Sequence, residues 1–271
     1  MKSKWIIYLG ISLIVITYFG VYLFLYSIKE EQGNRFKGYV IPSDFRYSFQ
    51  EHFEEINFTT NDGGTLNSLI FKADSTKGVI CFLKGNGGTI KDWAEHVPAF
   101  LKFGYDIIIT DYRQNGKSKG EISLQHFYSD AQLVYDSLKR RYPENKIVIA
   151  GFSLGGRIAA NLAANNTPRM TILLDAASTT GDFSDRFFEG LYFPLPSINP
   201  FLFTTEEDIK RARSPVIIIC TDNKNSLSHT LKPLLKKKDE FFEIQGATHA
   251  TLMKHKRTHQ IMSQILSKQL P

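Results

Sequence analysis

Cysteine is almost absent: the 271 residues contain two, Cys81 and Cys220, each within or at the end of an apolar run. That scarcity excludes a small disulfide-framed scaffold and leaves two buried free thiols as the expectation. There is no internal repeat and no low-complexity tract, which excludes a solenoid or a disordered tail as the main architecture. The phosphate-binding pattern G-x-x-x-x-G-K-[ST] does not occur, and no nucleic-acid motif accompanies the modest net charge of +6. No nucleic-acid partner is expected. The most informative absence is of charge between residues 5 and 28, where WIIYLGISLIVITYFGVYLFLYSI runs for 24 residues without Asp, Glu, Lys or Arg. A helix needs about 20 such residues to cross a hydrocarbon core.

That run exceeds the roughly 7–15 residues of a signal-peptide core, and it is followed by Lys29-Glu30-Glu31-Gln32 rather than a small-residue cleavage site. Residues 1–30 therefore read as an uncleaved, single-pass transmembrane anchor, with the membrane contacted through residues 5–28. Lys2 and Lys4 face Lys29, Arg35 and Lys37 across the span, so the charge asymmetry leaves its orientation open. Residues 31–50 are polar and mixed, and read as a juxtamembrane linker. The remaining stretch, 51–271, has the length of one α/β domain, and 42% hydrophobic with 22% charged residues across the chain is an ordinary globular balance.

Within that domain, residues 53–59 and 65–71 flank Asn61-Asp62-Gly63-Gly64 and read as a hairpin. Short apolar runs at 79–83, 105–110, 147–150, 170–174, 216–220 and 241–244 then alternate with helical stretches at 89–103, 123–141, 156–166 and 251–270. This alternation predicts a mostly parallel central sheet with helices on both faces, whose ligands sit at the carboxyl ends of the strands. Residues 177–213 break the rhythm with an insertion rich in Phe, Tyr, Leu and Pro over 183–203. A short cap over an apolar pocket and a buried connector are its two readings.

Chemistry is concentrated at residues 146–160, KIVIAGFSLGGRIAA. A β-branched run, then Gly151-Phe152-Ser153-Leu154-Gly155, then a small-residue helix start is the strand, turn and helix context in which G-x-S-x-G exposes a nucleophilic serine. A serine needs a base, and the base needs an acid to orient it. Of seven histidines, His249 follows the last strand at the edge that carries Ser153. Asp222, just past the run 216–220, is the preferred acid, with Asp175, at the end of 170–174, as the alternative. The Lys84-Gly85-Asn86-Gly87-Gly88 segment after residues 79–83 offers bare backbone, so the N–H groups of Asn86 and Leu154 form the expected oxyanion hole. No metal or organic cofactor is implied.

With these residues in hand, the chain from about residue 53 to 268 resembles the α/β-hydrolase superfamily, and within it the small membrane-anchored serine hydrolases related to monoacylglycerol-lipase-like and serine-aminopeptidase-like enzymes. The resemblance rests on GFSLGG at 151–156, on KGNGG at 84–88, on Asp111-Tyr112-Arg113 followed by Gly116-Lys117-Ser118, and on the late His249. It implies an α/β-hydrolase fold and a Ser-His-Asp hydrolase of a small-molecule or lipid ester or thioester with an apolar acyl group. Three residues depart from the family pattern: Lys84 stands where histidine is usual, Gln114 where glycine is usual, and Lys224 where the acid is usual. The rival expectations are a non-catalytic membrane-bound module on the same fold, and a peptidase or amidase using the same triad.

Overall fold

The computed structural model describes residues 2–34, 36–178, 201–224 and 226–268. The chain opens with one long helix, α1 (Lys2–Asn34). Its Lys4–Phe24 stretch has a mean hydropathy of 2.2 and none of it is buried against the rest of the protein. Length and composition therefore suffice for a membrane crossing.

Eight strands form one sheet. The hairpin of β1 (Phe53–Thr59) and β2 (Thr65–Phe71) closes with Thr59 opposite Thr65. The others are β3 (Val79–Leu83), β4 (Asp106–Thr110), β5 (Ile147–Phe152), β6 (Met170–Leu174), β7 (Val216–Thr221) and β8 (Glu240–Ile244). Their order across the sheet is β1-β2-β4-β3-β5-β6-β7-β8, antiparallel at β1/β2 and β2/β4 and parallel from β4 onward. Every residue of β3, β5, β6 and β7 is buried, because both faces of a parallel sheet are covered. That is why these strands read as unbroken apolar runs.

The pleat sends alternate side chains to two cores. Val79, Cys81, Ile147 and Ile149 face α4 (Leu124–Lys139), α5 (Leu154–Asn165) and α6 (Thr205–Arg211). Ile80, Phe82, Val148 and Ala150 face α2 (Ile90–Trp93), α3 (Val97–Leu101) and α7 (Lys256–Ser267). The helix expected over 89–103 is thus divided, with a 3₁₀ turn at Ala94–His96 between α2 and α3. Pro98 has no N–H to continue a helix from the preceding turn, and it falls in the first turn of α3.

The segment read as linker is packed on the domain from Phe36 onward. Phe36, Ile41 and Tyr47 are buried, and the Phe36 ring lies 4.7 Å from that of Phe201 and 5.3 Å from that of Phe127. The Gly38 and Ile41 amides donate to the carbonyls of Gln114 and Gly116. Most of the insertion expected to form a cap, residues 179–200, lies outside the described residues. Its described end turns inward: Phe201 and Phe203 are buried beside Phe36.

Gln114, where the resemblance leads one to expect glycine, has φ of 58°. A side chain in the left-handed region costs about 1 kcal/mol relative to glycine. We expect Gln114→Gly to raise the melting temperature by about 2–4 °C in a thermal scan. A fall would mean that the lost hydrogen bond from Gln114 Nε2 to the Gly120 carbonyl, 3.1 Å, outweighs the relieved strain.

Candidate active site

Strand β5 ends at Phe152 and α5 begins at Leu154, so the whole reversal falls on Ser153, at φ 51° and ψ −113°. The turn is clamped from both sides. Ser153 N–H donates to the Leu174 carbonyl and Gly156 N–H to the Ser153 carbonyl, each at 3.0 Å. A Cβ at Gly151 would stand 2.2 Å from the Gly155 carbonyl oxygen. The strained conformation persists because its surroundings over-determine it.

His249 lies in the loop after β8, and its Nδ1 meets Asp175 Oδ2 at 2.6 Å. Its ring lies over Phe152, centroids 4.7 Å apart and planes 34° from parallel, and Phe152 in turn contacts Trp93 at 5.6 Å. Asp175, immediately past β6 with φ of 43°, accepts a second hydrogen bond on Oδ1 from the Ser226 hydroxyl, 2.6 Å. Burial pushes its carboxyl upward, but the bonds from His249 and Ser226 more than offset that and hold it below the ordinary carboxylate range. Ser153, Asp175, Ser226 and His249 all line one cavity of about 380 Å³. With Nδ1 taken by the carboxylate, Nε2 is the ring nitrogen available to a hydroxyl.

The preferred acid of the sequence reading is not the one that meets the histidine. Asp222 Oδ2 instead accepts from the Gly246 amide at 3.3 Å, bracing the loop that leads to His249. The reason is the sheet order. β6 is the direct neighbour of β5, with Leu174 paired to Phe152, so an aspartate one residue past β6 emerges beside Ser153. Asp222 emerges one strand further out, next to β8.

The segment after β3 is pinned at both ends. Lys84 is fully buried, and its ammonium donates to the Gly88 carbonyl at 2.9 Å, with Asp111 Oδ1 3.9 Å away and the Tyr112 ring 4.7 Å away. Asp111 Oδ1 also accepts from the Ile90 amide at 2.9 Å, and Tyr112 donates to the Lys84 carbonyl at 2.6 Å. Burial pushes Lys84 down and Asp111 up, each opposed by the partner's charge. The lysine that departs from the family pattern therefore spends its charge inside the loop. Asn86 borders a groove with Trp93, Phe152 and His249. Leu154 is the first residue of α5, whose leading amides have no intrahelical acceptor.

Sequence reasoning missed Ser226 and the ring stack of Trp93, Phe152 and His249. Phe152 is the variable residue inside G-x-S-x-G, so only its size hinted at a role. Among the described residues no group of three or more His, Cys, Asp or Glu side chains could hold a metal ion.

A sheet of this order, with a serine on a sharp β5-to-α5 reversal and a histidine after the last strand, is the α/β-hydrolase architecture. The family model described as the alpha/beta hydrolase fold matches residues 78–191. A lysophosphatidylserine lipase, ABHD12 of Danio rerio, is 29% identical over 165 residues, covering 54% of this chain and 43% of that protein. Its Gallus gallus counterpart is 33% identical over 163 residues, with the same coverage. The alpha/beta hydrolase domain-containing protein WAV2 of Arabidopsis thaliana is 31% identical over 127 residues, 45% of this chain and 41% of that one. The chain thus spans less than half the length of these relatives. Among solved structures, the Pyrococcus furiosus esterase Pf2001 superposes with a TM-score of 0.63 at 19% identity, over 84% of this chain and 97% of that one. A soluble variant of the Saccharomyces cerevisiae monoglyceride lipase gives 0.59 at 15% identity, over 83% and 98%. The chain has the α/β-hydrolase fold, and the match to that family's model lies in residues 78–191.

Proposed function

We propose that this chain is a membrane-anchored serine hydrolase, with an anchor in residues 1–30 and a hydrolase domain beyond it, cleaving a carboxylic ester or thioester of an apolar acyl group. The observation that carries the reading is the 2.6 Å contact between His249 Nδ1 and Asp175 Oδ2 in a cavity that Ser153 also lines. Ser153 Oγ attacks the carbonyl carbon while His249 Nε2 takes the hydroxyl proton. Asp175 stays ionised, holds the ring in that tautomer and stabilises the imidazolium. The amides of Asn86 and Leu154 bind the developing oxyanion, each worth about 3 kcal/mol of barrier. As the carbon–oxygen or carbon–sulfur bond breaks, His249 returns the proton to the leaving alcohol or thiol. Water then repeats the sequence on the acyl-enzyme and releases a carboxylic acid.

Two of the similar proteins are named as a lysophosphatidylserine lipase and a monoglyceride lipase, and an apolar N-terminal helix long enough to cross a membrane precedes this domain, so a lipid ester in a bilayer is the substrate class favoured here. A fluorophosphonate probe tests the reading directly. The folded wild-type chain should be labelled at a single serine, and Ser153→Ala should abolish the signal while keeping the melting temperature within a few degrees. A folded wild-type chain that takes no label overturns the assignment.

A further inference from the structure

Outside α1, the large hydrophobic side chains that stay exposed among the described residues are Tyr39 (48%), Val40 (68%) and Leu202 (39%). They share one place in the fold. Tyr39 accepts the Gly116 amide on its carbonyl, in the loop that leaves the carboxyl end of β4. Its hydroxyl reaches Thr89 Oγ1 at 3.0 Å and donates to Asp92, whose side chain borders the groove shared by Asn86 and His249. Leu202 stands between Phe201 and Phe203, whose rings pack on Phe36. All three therefore lie on the edge of the sheet that carries Ser153.

The tether ends at the same rim. Asn34 closes α1, and Phe36, two residues on, is already buried in the domain. Two residues span at most about 7 Å. From Ile28, the end of the uncharged run, to Asn34 is six helical residues, about 9 Å of rise. A headgroup layer is itself about 5–7 Å deep, whereas a domain of this size is about 40 Å across. Whatever the domain's rotation about its tether, this rim is the part nearest the bilayer. Tyrosine at 39 suits such a boundary, because its ring is apolar and its hydroxyl polar. Lys37 and Lys91, exposed alongside, add charge that anionic headgroups attract.

We infer that the rim formed by Tyr39, Val40 and Leu202 rests in the headgroup layer of the bilayer that holds α1, so that the cleft takes its ester from that same bilayer. The inference rests on the anchored-hydrolase reading and adds where and from which phase the substrate enters. Apolar side chains that would be a solubility burden on a free domain are buried on contact with lipid.

The test uses the full chain in phosphatidylcholine and phosphatidylserine vesicles. Cys81 and Cys220 are buried, so a surface cysteine can be labelled selectively. Spin labels are placed by Val40→Cys and Leu202→Cys, and by Lys238→Cys just before β8, on the opposite edge. Oxygen should outcompete a water-soluble nickel chelate as a relaxer several-fold at positions 40 and 202, and the order should reverse at 238. Equal nickel accessibility at all three overturns the inference. In a second arm, Val40→Asp with Leu202→Asp should lower the ratio of the rate on a bilayer-resident ester to that on a water-soluble short-chain ester at least fivefold. An unchanged ratio also overturns it. If the wild-type chain hydrolyses neither ester and takes no fluorophosphonate, the hydrolase reading fails, while the spin-label depths still judge the rim on their own.

Discussion

Asp175→Asn is expected to lower the hydrolysis rate by about 10⁴-fold, while Asp222→Asn stays within about threefold of wild type. The asymmetry follows from what each carboxylate touches. Asp175 holds His249 Nδ1 at 2.6 Å, and an asparagine there presents either an amide N–H, which forces the wrong tautomer, or a neutral oxygen that no longer stabilises the imidazolium. Asp222 braces Gly246 through one 3.3 Å bond, and its loss loosens the loop without touching the proton path. Initial rates on a chromogenic ester, with melting temperatures to exclude unfolding, separate the two. Equal losses would return the acid's role to Asp222. Because Asp175 is held below the ordinary carboxylate range, its bonds to His249 and Ser226 contribute in full above that range. They are lost only as the pH falls through the lowered value.

The second large effect is on folding. Gly155→Ala would put a Cβ 1.9 Å from the Leu83 carbonyl oxygen and 2.6 Å from that of Lys84. Both are backbone atoms where β3 ends, so no side-chain rotation relieves the clash. Helix α5 would have to withdraw from the sheet, opening the core around Ile158 and Cys81. We expect a loss above about 4 kcal/mol, a large part of the 5–15 kcal/mol a domain has, read as a chain that is insoluble or melts far below wild type. Gly87→Ala is the control. That position also has a positive φ, 78°, but nothing within 4 Å of the added Cβ, so only backbone strain of about 1 kcal/mol applies. Equal melting temperatures for wild type and Gly155→Ala would refute the packing argument.

The parts of this protein legible in its sequence are those written in local pattern. The strands β3, β5, β6 and β7 are buried on both faces and appear as apolar runs, and Gly151 to Gly155 encodes the serine turn by steric necessity. The identity of the carboxylate facing His249 was not legible in that way. Asp175 and Asp222 each follow a strand by one residue, and what separates them is which strand lies beside β5, a property of the sheet and not of either segment. The left-handed φ of Asp175 is equally silent, since aspartate is compatible with many turns. Residues 36–49 were misleading for a different reason. Phe36, Ile41 and Tyr47 are buried at spacings of five and six, which match neither a helix nor a strand, because the segment is held by the Gln114 and Gly116 carbonyls and by side-chain packing.

The placement of Asp175 also bears on how the site comes into being. β5, α5 and β6 make one crossover unit from Ile147 to Leu174, and that unit ends with both Ser153 and Asp175 at its carboxyl edge, 22 residues apart. Pairing at this separation closes a shorter loop, at a smaller entropic cost, than pairing with the C-terminal segment. His249 lies 74 residues beyond its carboxylate and arrives only with the C-terminal strand and helix. On a ribosome, which releases the chain from the N-terminus, the apolar N-terminal helix and two groups of the proposed triad, Ser153 and Asp175, are made well before His249. In the proposed mechanism, the growing chain therefore has a nucleophile and an acid but no base until its last segment docks.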